Sequence, residues 1–265
     1  RAVPRSPTTG GARAARAPPV VGLRGTARVA RDADAGAAEL ALRLIVPGIV
    51  ANAVRESFDM TDDHPVEVSV EGSALLSALA GQVGDVSIRV PHVTILDGIT
   101  VTVAASAKAL PFEATGRPME AAAASVTIPA DQLGAVIALA TSGVATTGDV
   151  VDGELQIGRD VTFFGASVPV EASLAVAVSA GDLMVEPTSV SAAGAELSAQ
   201  QIRQVAGSSL NGILKPHTVC VRDQLPAGVT LTEIRLSSTG AVTVAASLAP
   251  DIIANPAQLE LGTCA

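Results

Sequence analysis

Three histidines and two cysteines are the residues whose types could carry chemistry in this chain of 265. His64, His92 and His217 stand apart, with no HExxH and no paired-His spacing. Asp62-Asp63-His64, or His217 with Cys220, could be drawn as metal ligands. Loop acids ahead of a strand and a disulfide cysteine account for them more simply. No metal and no cofactor is expected. No G-x-S-x-G elbow, phosphate loop or dinucleotide fingerprint is present, so neither hydrolase nor nucleotide chemistry has support. Paired carboxylates for glycosidic work are defined by a separation in space and stay open here, but a chain with no Trp, no Tyr and only four Phe gives that reading little support. A non-enzymatic protein is the expectation. An acyl-processing enzyme using an unrecognised Ser or Asp is the weakest alternative.

Cys220 and Cys264 are the only cysteines. An even count without CxxC suits a disulfide formed in an oxidising, extracytoplasmic compartment, and two free thiols are the alternative. The chain shows no leader or transmembrane run, and it begins at Arg1, so an upstream leader or anchor is left open. Residues 1–31 hold seven Arg and no acid, whereas residues 32–265 hold ten basic and 26 acidic residues, a net charge of −16. Such a body repels phosphate backbones, so no nucleic-acid partner is expected. The basic arm, residues 1–30, reads either as a solvated linker or as a contact for an anionic membrane or polymer. Residues 31–265 read as one domain.

Those residues must be positioned by one helix and many strands. Residues 37–59, AAELALRLIVPGIVANAVRESFD, place Leu42, Ile45, Val46, Ile49, Val50, Ala53 and Val54 on one broad face at helical period. Pro47-Gly48 interrupts it and implies a kink, or a helix that begins in earnest at Pro47. About 11 uninterrupted apolar residues fall short of a bilayer. Downstream, alternation dominates: Val66, Val68 and Val70; Val86, Ile88 and Val90; Ile99, Val101 and Val103; Leu174, Val176 and Val178. Pro91 marks an edge or a bulge. Ser73 caps a short helix with Leu75, Leu76 and Leu79, Asp131 starts a helix over 130–140, and Ser198 caps one over 197–213. A hairpin turns at Ser238-Thr239-Gly240. Roughly eight strands with three or four helices, strand following strand, predict an α+β fold. Its sheet is mainly antiparallel and curls round the long N-terminal helix. Several strands, such as SLAVAVSAG and AVTVAAS, set Ala or Ser opposite Val. That leaves room for a second layer, the helix or an acyl chain.

The strand–helix–strand VEVSVEGSALLSALAGQVGDVSIRVPHV resembles the opening of the LmeA-like phospholipid-binding family of actinobacterial envelope proteins, through Val68, Val70, Gly72, Leu76, Leu79, Gly81, Val86, Ile88, Val90 and Pro91. The middle block is similar at Val168, Pro169, Val170, Gly181, Leu183, Pro187, Val190 and Gly194. The final hairpin is similar at Leu225, Pro226, Gly228, Leu231, Ile234, Gly240, Val242 and Val244. The resemblance covers about residues 37–249 and departs in the Arg/Pro-rich arm and in the Cys-containing stretch near 214–224. It implies a half-barrel akin to the tubular lipid-binding folds, with two or three further short helices. It also implies binding of a phospholipid, including phosphatidylinositol types, at a membrane surface in the cell envelope or periplasm, in support of lipoglycan maturation. It supplies no catalytic residue.

On this reading, acyl chains lie between helix and sheet against Leu42, Val46, Ile49, Val50 and Val54, with Phe58 at a mouth. Arg43, Arg55 or Arg89 meets the headgroup phosphate. The alternative function is an envelope protein–protein interaction module with a filled core. A continuous groove well above roughly 300 Å³ would favour the lipid.

Overall fold

The computed structural model describes residues 35–57, 60–95, 98–108, 110–111, 118–163, 166–192, 194–206 and 215–264. Within them the fold is α+β, with four α-helices and antiparallel sheets that close into no barrel. The helices are α1 (Ala35–Ser57), α2 (Ala74–Leu79), α3 (Ala130–Ala140) and α4 (Ala199–Ala206).

The first sheet joins β1 (Glu67–Glu71), β3 (Asp85–Thr94), β4 (Thr100–Lys108), β6 (Glu120–Ile128), β14 (Val242–Leu248) and β13 (Val229–Leu236), side by side in that order. The second runs β11 (Ala195–Ser198), β10 (Asp182–Ala192), β9 (Ala166–Ser179), β8 (Glu154–Phe163) and β7 (Thr147–Val151). To β10 is added β12 (His217–Val219), and β2 (Gln82–Val83) pairs β5 (Leu110–Pro111) apart from both sheets. Fourteen strands among the described residues replace the expected eight, because short edge pieces such as β2, β5, β11 and β12 are too brief to show alternation.

Chain order explains the division. The first sheet fills from β1 to β6, and α3 then leads into β7, against which it packs. The second sheet is completed before β13 and β14 return, β14 pairing with β6. At the far side β13 packs against β9, so the two sheets touch there.

Local rules are visible at the element ends. The Ser73 hydroxyl accepts from the Leu76 amide at 3.3 Å and caps α2. Ser198 and Gln201 exchange bonds, the hydroxyl accepting from the Gln201 amide at 3.2 Å and the Gln201 side chain from the Ser198 amide at 2.8 Å. Pro91 lies in β3, an interior strand, so it sits at a bulge: register slips between Val90 and Val93, and His92 takes φ 55°. The last hairpin closes through the Ser237 amide to the Ala241 carbonyl at 2.8 Å, with Gly240 at φ 84°. The helix expected over 37–59 spans Ala35–Ser57 and continues through Pro47.

The core is aliphatic, as the scarcity of aromatics demands. Val86, Val90, Ile99, Val101, Leu133, Val242, Ala246 and Ile252 are buried, and Met119, Ala122 and Ile252 form one cluster. Cys220 and Cys264 are disulfide-bonded, with Cα atoms 6.0 Å apart. Beside them Arg222 grips the buried Asp182 carboxylate with two N–H donors at 3.1 and 3.0 Å. The tail is therefore fastened covalently to the segment that follows β12, and that segment is fastened to β10 by charge.

Candidate lipid-binding site

The first sheet has two unlike faces. Paired residues point to the same side, so register alone sorts them. Val70, Val86 and Ala107 share one face with the row Val68, Ile88, Ala105, Ala124 and Ala246. The opposite face carries two small or polar rows. Glu67, Arg89, Ala104, Ser125 and Ala245 make the first, and Ser69, Ser87, Ser106, Ala123 and Ser247 the second.

A groove of about 520 Å³ runs over this second face, from β1 across to β14. Nine of its lining residues belong to the two small rows. The other four, Val68, Ile88, Ala105 and Ala124, point away and lend their backbone to the floor. Five strands at about 4.8 Å spacing give it a reach of about 19 Å. It exists because nothing larger than Ala or Ser stands along its middle. At the β1 end the Ser69 and Ser87 hydroxyls are bonded at 2.6 Å, and Arg89 stands 3.9 Å from Glu67. The wall is thus mostly methyl and methylene surface, with hydroxyls spaced along it and the exposed Arg89–Glu67 ion pair at one end. Such a surface has room for a flexible apolar chain.

The helix side is tighter. Leu42, Arg43 and Val46 line a crevice of only about 30 Å³ with Val70, Ala74, Ala78 and Gly84. Val50 and Val54 are half-buried, and Ile49 points to solvent. None of these five apolar helix residues borders the larger groove. Phe58 lies outside the described residues. Of the three arginines proposed for a headgroup, Arg89 lines the groove and the other two are engaged in the scaffold. Arg43 donates to the Gly72 carbonyl at 2.8 Å, and Arg55 to the His64 carbonyl at 2.9 Å and the Asn52 side chain at 3.0 Å.

His64 Nε2 lies 2.9 Å from the Pro91 carbonyl, which can only accept, so that nitrogen carries the proton. Among the described residues no group of three or more His, Cys, Asp or Glu is placed to hold a metal ion, and no helix is long and apolar enough to cross a membrane.

Ala104, Ser106, Ala123 and Ser125 were not singled out from sequence. Their signal was the Ala/Ser alternation noted in AVTVAAS, whose Ala245 does line the groove. The same grammar in β4 and β6 became a site only when the strands were set in register.

The family model for LmeA-like phospholipid-binding proteins matches residues 37–247. The chain belongs to the LmeA-like phospholipid-binding family. The match takes in both sheets and the whole groove, and excludes residues 1–36. It accords with the three blocks of residues that carry the resemblance, which span almost the same interval. No curated protein and no solved structure matches the chain. Membership in the LmeA-like family makes phospholipid binding the property to be fitted to this groove.

Proposed function

We propose that the groove on the small-residue face of the first sheet holds the acyl part of a phospholipid, with Arg89 at the phosphate. The observation that carries this is a continuous space of about 520 Å³, walled largely by Ala and Ser, inside the interval that the family model matches. Each methylene taken out of water contributes about 0.8 kcal/mol, so a partly covered chain is held without a strong polar contact. Leu42 and Val46 then act as packing for α1, and α1 braces the β1 margin of a sheet whose curved, half-barrel form the groove favours. Leu42, Val46, Val50 and Val54 are assigned to that bracing.

The headgroup reading extends to anionic lipids, phosphatidylinositol types among them, with a lipid phosphate taking the place of Glu67 as the partner of the exposed Arg89. An extracytoplasmic setting in the cell envelope, with a membrane as the lipid source, is supported by the disulfide. A part in lipoglycan maturation is the corresponding role. The body acts as a binder, with no reaction assigned to it.

The test is mass spectrometry of an organic extract from protein purified without detergent, alongside native mass spectrometry. A stoichiometric phospholipid is expected in the wild type and absent from a folded Ala104→Leu variant. A wild type that stays apo after incubation with mixed phospholipids would overturn the proposal and return the interaction module to first place.

A further inference from the structure

The register of the first sheet gives the groove a width as well as a length. Its walls are two rows of side chains, two residues apart on each strand and so about 6.8 Å from row to row. Val68, Ile88, Ala105 and Ala124, whose backbone floors it, each lie between those rows. Val70, Val86, Val103 and Val126, the next residues outside the rows, do not border it. Both flanks beyond are polar. Thr102, Thr127 and Thr243 stand in register outside the first row, with the hydroxyls of Thr127 and Thr243 3.0 Å apart. Outside the second row Glu71 pairs with Asp85, and Lys108 with Glu120. At the far end β13 contributes no lining residue, so the groove stops at β14. It is a single trough.

The dimensions of that trough can be set against those of a hydrocarbon chain. Carbon atoms in contact lie about 4 Å apart, so one methylene chain midway between the rows touches both, whereas two abreast would need about 12 Å. Three backbone bonds advance about 3.8 Å, so an extended chain advances about 1.3 Å per bond. The reach of about 19 Å therefore spans about 15 such bonds. With Arg89 at the headgroup, the methyl end falls at Ala245.

We propose that the groove is a ruler for a single acyl chain. It holds one chain of a phospholipid, laid across the strands from β1 to β14 and up to palmitoyl in length, and leaves the other chain outside. A lysophospholipid is thus a complete ligand. The inference rests on the phospholipid reading of the groove and adds to it how many chains are held and how long they are.

The experiment is native mass spectrometry of the delipidated full chain, titrated with lysophosphatidylglycerols from decanoyl to eicosanoyl, each below its micelle threshold. One lysolipid per protein is expected. Affinity should rise about fivefold for each pair of added methylenes, less than full burial would give because a chain on a sheet face stays partly wet, and should level off at palmitoyl. Ala245→Leu removes the last strand's share of the trough, about 4.8 Å. Its ceiling should fall to lauroyl, with lauroyl itself bound as in the wild type. Ala104→Leu, in mid-trough, should weaken every length about tenfold or more. Two lysolipids per protein, both weakened by Ala104→Leu, would overturn the ruler while the phospholipid reading stood. So would an affinity that keeps rising to eicosanoyl, or a folded Ala245→Leu variant that weakens all lengths alike. A wild type that retains diacyl phosphatidylglycerol but binds no lysolipid would overturn the ruler alone. One that binds neither would overturn both. The wild-type ladder decides by itself, so a variant that fails to fold leaves the test intact.

Discussion

Ala104 and Ala245 matter for what they leave empty. Both stand in the same row of the groove wall, either side of Ser125. Changing either to Leu should reduce bound phospholipid at least about tenfold, since two or more methylenes at about 0.8 kcal/mol each lose their place. Lipid extraction from the folded variant checks this. Arg89→Ala should spare a neutral lipid and weaken an anionic one, about tenfold or less because the side chain is exposed. Competition between phosphatidylcholine and phosphatidylglycerol would read the difference. Glu233 offers a pH test away from the site. The Arg235 guanidinium, bonded to it at 2.6 Å, holds its carboxyl below the usual range. A lowered carboxyl favours the folded state above its unfolded pKa, and that contribution is lost as pH falls through the folded value. Arg235→Gln should raise the Glu233 titration midpoint, followed by NMR, and remove that part of the acid sensitivity.

Elements meet here at glycines and at one covalent tie. A Cβ on Gly148 would come within 2.8 Å of Ile137 Cγ1 on α3 and 3.3 Å of the Leu133 carbonyl, so β7 can approach α3 only without a side chain there. Gly148→Val is expected to cost about 1–3 kcal/mol through overpacking, measured by urea denaturation. The disulfide fastens the tail beyond the last hairpin. In the chain-entropy model a bridge across 44 residues contributes roughly 4 kcal/mol. Reducing it, or Cys264→Ser, should lower the melting temperature while β3, β4 and β6, which form most of the groove, keep their pairing. Lipid bound per folded molecule is then unchanged.

At the scale of the molecule, the first sheet is assembled from both ends of the described chain, and the second is laid in between. Thr127 of β6 and Thr243 of β14 share a hydroxyl bond at 3.0 Å across 116 residues of sequence. Much of what surrounds that seam was legible beforehand. Alternating Val at 86, 88 and 90 and at 242 and 244, the caps at Ser73 and Ser198, and the helix over 130–140 all follow from local sterics and hydrogen bonding, which act within a few residues. Composition foretold the aliphatic core, the ordered blocks of Val, Gly and Pro foretold the family, and the cysteine count foretold the bridge. What the amino-acid order could not determine by itself was which strand lies beside which. Pairing is a contest among many similar Val-rich edges, decided by the total burial of the folded chain. For that reason the binding space was expected along α1, which carries the longest apolar run at helical period, whereas the groove opens on the Ala and Ser face. A sequence marks apolar side chains directly. A cavity is made by the places where small side chains from distant strands coincide, and only tertiary structure brings β1, β3, β4, β6 and β14 into one register.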